Sequence, residues 1–379
     1  MIANTWDAVF YHETATAIAA GEGYVFQGRP TAFFPPGFPV FLAAAYRVGG
    51  ASPGSGQIAN LLASLGILAA VAAAVGLTAG PVAGRWCAVL LALEPSQWIM
   101  PAFLMSETAC TLGVAGMILF LVRWSQGGGW IPVVGAGACA VAAGFTRGLG
   151  FLLLPTVAAA ILWAGARSRG ETVRALVLAG AVCAVAVGAW ALRNDRVLGE
   201  PVLVSTNVGV NLLVGNNPNA RGGRADPPGG VPGSGDELAD ENEAFERVRS
   251  YVRENPGRAL AVLPLKAARL WAFGPAVTYR AELAAKLGRV AGGVAVGLAQ
   301  AAHLALLAAA AAFLWRTRRG TEPKTRVLFA IVLASAAVWT LAHVPFFGGA
   351  RFLFPIHPLV AAAAAAWSAR PVSPRAQSR

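Results

Sequence analysis

IANLLASLGILAAVAAAVGLTA, Ile58 to Ala79, carries no charged side chain and is long enough to cross about 30 Å of hydrocarbon as one helix. Seven further apolar stretches of comparable length follow it: Ser106–Val122, Ile131–Phe145, Gly148–Ala164, Arg174–Leu192, Ala291–Trp315, Val327–His343 and Phe352–Trp367. Val82–Leu93 is shorter and is stopped by Glu94-Pro95, and it brings the expected number of spans to nine. Of 379 residues, 56% are hydrophobic and only 13% charged, which places the chain among integral membrane proteins. The net charge of +12 is dispersed between apolar runs, with no continuous basic face or aromatic platform, so nucleic acid is not an expected partner. Cys87, Cys110, Cys139 and Cys183 lie inside apolar runs without CxxC spacing and read as small buried hydrophobes.

The short loops set the orientation. If Ile58 starts outside, the inner loops carry Arg85, Arg123, Arg167/Arg169/Arg174, Arg316/Arg318/Arg319/Lys324/Arg326 and Arg370/Arg375/Arg379. The outer short loops then hold only Arg147 and Arg351, a strong positive-inside asymmetry. The expected organisation is an extracytoplasmic loop (1–57), a transmembrane bundle (58–192), an extracytoplasmic loop domain (193–287), further spans (288–368) and a cytoplasmic tail (369–379).

Upstream of Ile58, WDAVFYHETATAIAAGEGYVFQGRPTAFFPPGFP (Trp6–Pro39) is too polar and too interrupted by Gly and Pro to span a bilayer. One helical turn separates Asp7 from Tyr11 and puts both on one face. Phe34-Pro35-Pro36-Gly37 forms a rigid turn in which two fixed φ angles precede a free one. No charged and apolar leader of the secretory type precedes this stretch. In the long loop, the stretch Arg193–Pro218, with VLVSTNVGVNLLVGNNP, reads as short β segments ending in an Asn/Pro turn. Residues 219–235 are Gly/Pro-rich, Asp236 can cap a solvated helix over Glu237–Asn255, and Pro256–Phe273 has amphipathic spacing with Arg258, Lys266 and Arg269. That last helix lies either in the membrane interface or against a small loop domain.

Arg147, in GFTRGLG, and Arg351, in GGARFLFP, stand at the mouth of the bundle. They either contact headgroups and pair with Glu94 or Glu107, or clamp a phosphate, for which the guanidinium fork is well shaped. Glu107, in LMSETAC, falls in a first helical turn behind Ser106, where an acid is favoured by the dipole whether or not it has a chemical role. His12, His303, His343 and His357 have no metal-ligand spacing, although His343 and His357 flank Arg351. His303, in mid-span, reads as packed or bonded to backbone. No Walker-type loop, zinc motif or Ser/His/Asp order is present, which disfavours ATP-driven transport and zinc proteolysis.

DAVFYHETATAIAAGEGY (7–24), TAFFPPGFPVFLAAAY (31–46), SE (106–107), TRG (146–148), AWALRN (189–194), STNVGVNLLVGNNPNA (205–220) and RFLFPIHP (351–358) together resemble the bacterial polyprenyl-phosphate-sugar-dependent glycosyltransferases of GT-C fold, the protein mannosyltransferase and aminoarabinose transferase superfamily. The resemblance extends from Asp7 to Trp367. It implies an all-α polytopic membrane protein, a GT-C-like bundle of about nine spans with a small mixed extracytoplasmic loop domain, in the bacterial plasma membrane with its active site outside. It further implies an inverting transfer of a single sugar from a polyprenyl-phosphate donor to a hydroxyl acceptor on a lipid, glycan or protein. Asp7 matches the acid of the first outer loop and would be the general base. Glu107 matches a second acid and would share the catalytic site. Arg351 matches a near-terminal arginine. Tyr11, His12, Pro35, Pro36, Arg147 and Arg351 are the expected substrate-binding residues, with Phe33–Phe38 walling the pocket. The acid is single, Asp7-Ala8, where many relatives have a pair, so the acceptor class and any metal requirement stay open, and a divalent cation is possible. Relatives also carry a span before this acid; either the start codon is placed late, which is the favoured expectation, or the chain is a shortened, inactive member of the group. Two other readings stand beside this one. A transporter or lipid-linked-sugar flippase would place ionisable residues in mid-span, where this chain has few. A surface-polysaccharide polymerase or ligase would take oligosaccharide donors.

Overall fold

Residues 6–318 and 322–368 are described by the structure, a computed structural model of the chain. Arg319 and the expected tail 369–379, with Arg370, Arg375 and Arg379, lie outside the described residues. The first element is a helical hairpin, α1 (Trp6–Ala20) and α2 (Gly37–Gly49), joined through a two-residue antiparallel ladder of β1 (Val25–Phe26) and β2 (Arg29–Pro30). The bundle continues through α3 (Pro53–Ala79), α4 (Pro81–Leu93), a single turn α5 (Ser96–Ile99), α6 (Glu107–Ser125), α7 (Ile131–Thr146), α8 (Leu153–Trp163) and α9 (Arg169–Leu198). Four helices make up the long loop: α10 (Val208–Leu213), α11 (Glu237–Glu254), α12 (Pro256–Trp271) and α13 (Arg280–Leu287). The chain then returns to the bundle as α14 (Arg289–Thr317), α15 (Pro323–His343) and α16 (His357–Ser368).

The protein is an all-α polytopic membrane protein, but its spans differ from a plain count of apolar runs. Five helices, α3, α6, α9, α14 and α15, are long and apolar enough to cross a membrane. A sixth crossing would need α12 and the segment Pro275–Leu287 taken together, and these are bent by 93°. The four remaining expected spans form shorter helices, α4, α7, α8 and α16. Their ends are fixed by Glu94-Pro95, by Arg147 and by the 3-10 turns Gly148–Leu152 and Ala350–Leu353. At 1.5 Å per residue, the 12 residues of α16 reach only about 18 Å. This helix is buried on every side from His357 to Ala366, packed against α14 and α4, so its alanines serve close packing rather than lipid contact. By contrast, only 17% of the apolar window of α9 is buried, against 67% for α6, which makes α6 the axis of the bundle and α9 a lipid-facing helix. Cys87 and Cys110 are buried and all four cysteines are free.

The long loop is helical rather than mixed. The run expected as β segments becomes the end of α9, an extended link and α10. The cause is tertiary: Glu241 of α11 receives hydrogen bonds from the Val208 and Gly209 amides at 3.1 and 2.8 Å, satisfying the exposed donors of the α10 N-terminus. Helix α11 begins where expected, with Asp236 capping the Leu238 and Ala239 amides. In α12, however, Lys266 is buried and not on a solvated polar face.

Two clamps fasten the N-terminal hairpin to the rest of the chain. Arg193, on the extension of α9, donates to the Thr31 and Tyr24 carbonyls at 2.7 and 2.6 Å and lies over the Tyr24 and Trp190 rings. Glu237 accepts from the Thr31 hydroxyl and the Ala32 amide, both at 2.8 Å. At the other side, the Pro35-Pro36-Gly37 turn brings α2 so close to the end of α7 that a Cβ on Gly37 would lie 2.7 Å from the Phe145 carbonyl carbon. Gly37→Ala is therefore expected to cost about 1–3 kcal/mol by forcing backbone apart. Gly129→Ala, at a position where a Cβ meets nothing within 4 Å, is expected to be neutral. Thermal unfolding of the two variants in detergent checks the difference.

Candidate active site

Four elements converge on one set of charges. The first turn of α1 supplies Asp7, the first turn of α6 supplies Glu107, the residue closing α7 is Arg147, and the 3-10 turn before α16 carries Arg351. Arg351 Nη2 lies 3.1 Å from Asp7 Oδ2, and its Nε lies 3.6 Å from Glu107 Oε1. Arg147 Nη1 is 3.0 Å from the same Glu107 oxygen and 3.4 Å from the Ser106 hydroxyl. The charges thus alternate as Asp7–Arg351–Glu107–Arg147. Glu107 is fully buried, whereas the other three side chains remain 21–25% exposed. Both guanidiniums lie over the Phe352 ring, at 4.7 and 5.0 Å from its centroid.

Burial disfavours a charge on Arg351, but Glu107, Tyr279 and Asp7 outweigh it and raise its pKa above the ordinary value. Tyr11, one turn along from Asp7, is buried against Phe34 and Phe38. Burial, and then the Asp7 carboxylate, push its phenol well up, so it stays protonated beside Ser106.

The expected residues divide between this cluster and other places. Asp7, Tyr11, Glu107, Arg147 and Arg351 come together. Of the two acids open to the arginines in the sequence, Glu107 is the partner; Glu94 is buried at the α4–α5 break, accepting from the Gln97 amide at 3.1 Å. His12 is not part of the cluster. Its ring bonds the Tyr46 hydroxyl at 2.8 Å and faces a cavity of about 290 Å³ shared with Glu13, Thr16 and Gln27. Pro35 and Pro36 are buried in the turn that docks α2, and Pro36 lines a separate apolar cavity of about 420 Å³ with Tyr24, Phe145 and Trp190. His343 is buried with its Nδ1 at 2.8 Å from the Trp339 carbonyl. His303 bonds the Trp271 carbonyl at 2.8 Å and His357 at 3.1 Å.

One residue that sequence reading missed stands beside the cluster. Tyr279 is buried, stacked on Phe103 with centroids 3.8 Å apart, and among the described residues its hydroxyl has no hydrogen-bond partner. Its neighbour Thr278 accepts the Arg351 backbone N–H at 3.1 Å. Burial and then the Glu107 charge raise its phenol far above the ordinary value, so it is a neutral donor. PAVTY carries no motif, and only the 93° break after α12 delivers it here. Two carboxylates already facing two guanidiniums are a poor donor set for a divalent cation. Among the described residues no group of three or more His, Cys, Asp or Glu is placed to hold one.

The arrangement can be set beside known structures. A crystal structure of ArnT from Cupriavidus metallidurans bound to undecaprenyl phosphate superposes on 96% of this chain with a TM-score of 0.55 at 14% identity. The chain has the GT-C fold. It spans 55% of the length of that structure. A second structure of the same enzyme, in the apo state, aligns over 90% of this chain and 73% of its own at 16% identity, with a TM-score of 0.45. No family model and no curated protein matches the chain. In this GT-C bundle, Glu107→Gln leaves two adjacent guanidiniums without their shared counter-charge. Discounted for the water that reaches the arginines, the expected loss is about 2 kcal/mol of stability. Millimolar inorganic phosphate is expected to restore part of the melting temperature of this variant and to raise that of the wild type by less.

Proposed function

We propose that this chain is an inverting glycosyltransferase that moves a single sugar from a polyprenyl-phosphate donor to a hydroxyl acceptor at the outer face of a bacterial inner membrane. The observation that carries the reading is the placement of a part-exposed acid, Asp7, 3.1 Å from a guanidinium that shares Glu107 with a second one. The GT-C fold supports it, as does the undecaprenyl phosphate bound to the ArnT structure.

In this mechanism the acceptor O–H gives its proton to the Asp7 carboxylate as its oxygen attacks the anomeric carbon. The bond from that carbon to the phosphate oxygen breaks, the configuration inverts, and the phosphate leaves with the bonding pair. A phosphate needs no general acid if its growing charge is met, and Arg147 and Arg351 meet it. Each guanidinium has five N–H donors, and the acids engage one nitrogen of Arg147 and two of Arg351, which leaves donors for a phosphate. Glu107 holds the two cations at a fixed spacing, so the clamp is organised before the donor arrives. Tyr11 borders the acid with a neutral hydroxyl. The long loop, fastened to the N-terminal hairpin through Glu237 and Arg193, covers the acceptor side.

The test is sugar transfer in membranes supplied with radiolabelled polyprenyl-phosphate sugars. Asp7→Asn is expected to lower the rate by about 10²–10⁴, and Arg351→Ala by a comparable factor through loss of leaving-group stabilisation. Full transfer by Asp7→Asn removes the base assignment. A wild type that leaves every donor untouched removes the enzyme reading and makes lipid-linked-sugar flipping the next activity to assay.

A further inference from the structure

Lys266 is 1% exposed, and among the described residues no carboxylate lies within 4.0 Å of its ammonium. A buried ammonium without a counter-charge is costly and needs a reason. Its Nζ donates to Asn216 Oδ1 at 2.8 Å and to the Pro345 carbonyl at 3.2 Å. Asn216 Nδ2 donates to the same Pro345 carbonyl at 2.7 Å and to the Leu212 carbonyl at 2.7 Å. Both lone pairs of one proline carbonyl are therefore engaged, by two side chains that also bond each other.

Pro345 opens the turn that ends in Arg351, and the backbone around it is packed without slack. A Cβ on Gly348 would lie 2.2 Å from the Lys266 carbonyl oxygen, and one on Gly215 would lie 2.0 Å from the Phe346 carbonyl oxygen. The Gly348 amide donates to Gly222 at 2.8 Å, and the Arg351 amide to the Thr278 hydroxyl. The turn is thus held at its start by Lys266 and Asn216, in its middle by glycine contacts, and at its end by Thr278. What it delivers is the guanidinium that bonds Asp7.

We propose that Lys266 is a positioning residue for Arg351: its ammonium fixes the Pro345–Arg351 turn through the Pro345 carbonyl and Asn216, and so sets where Arg351 meets Asp7 and Glu107. For its effect on catalysis this rests on the glycosyltransferase reading; for its effect on the turn it does not. The experiment compares the full chain with Lys266→Met, which removes every N–H donor, and Lys266→Gln, which keeps an amide donor. Backbone amide exchange and sugar transfer are measured on the same preparations.

In Lys266→Met, exchange of the amides from Phe346 to Arg351 is expected to rise at least tenfold while α3 and α6 stay protected. In the same variant kcat is expected to fall more than tenfold with the acceptor KM unchanged. Lys266→Gln is expected to recover part of both, and it carries the test alone if the Met variant does not fold. Unchanged exchange in the turn overturns the proposal, as does exchange that rises equally in every helix. Faster exchange in the turn with full sugar transfer also overturns it. If the wild type transfers no sugar, the glycosyltransferase reading falls, and the exchange data still decide whether Lys266 fixes the turn.

Discussion

A fully buried carboxylate shared by two guanidiniums is the constraint on which the rest of the structure depends. Glu107 cannot stay charged away from water without cations, and Arg147 and Arg351 cannot sit over one phenyl ring without an anion between them. Satisfying both demands fixes the start of α6 against the end of α7 and against the turn that leads into α16. Asp7 is added at the open end of this chain of charges, so the hairpin of α1 and α2 has one polar attachment at the site. Its other attachments are at Arg193 and Glu237. The alternation also balances two formal negative charges with two positive ones, which lowers the cost of holding them away from water.

Much of this was legible in the sequence because it depends on short-range rules. Asp7 and Tyr11 share a face since four residues make about one turn. Glu107 stands in a first turn, Asp236 caps α11, and two arginines break the charge bias of their loops. Where the structure departs from that reading, the causes are equally definite. His12, expected beside Tyr11, lies one residue further on, about 140° round the helix from Asp7 at about 100° per residue, and so faces a cavity apart from the cluster. The run from 202 to 214 is rich enough in Val to pass for strand, and only Glu241, more than thirty residues after Val208, decides that its second half is the helix Val208–Leu213. Tyr279 and Lys266 have no local signal at all. Their importance comes from a sharp bend and from a carbonyl 79 residues away.

The short helices show the same limit from the side of packing. A run of alanines before Trp367 is apolar enough to suggest lipid, and composition cannot separate a helix bathed in lipid from one enclosed by protein. Enclosure explains why α16 consists of small residues: with α14 and α4 pressed on it, there is no room for larger ones. Glycine marks the same closeness at the α2–α7 contact, where Gly37 meets the backbone that leads into Arg147. The site is thus built by close backbone approach as much as by charge.

The Asp7–Arg351 pair joins residues 344 positions apart. A ribosome extending this chain makes the acid 344 residues before the guanidinium, with the helices α2 to α15 in between. Through that interval Asp7 lacks its partner, while the hairpin can already dock through Gly37 on α7 and through Arg193 and Glu237. Closure of the charged centre is therefore a late event, one that follows the making of the helices lying between its two ends.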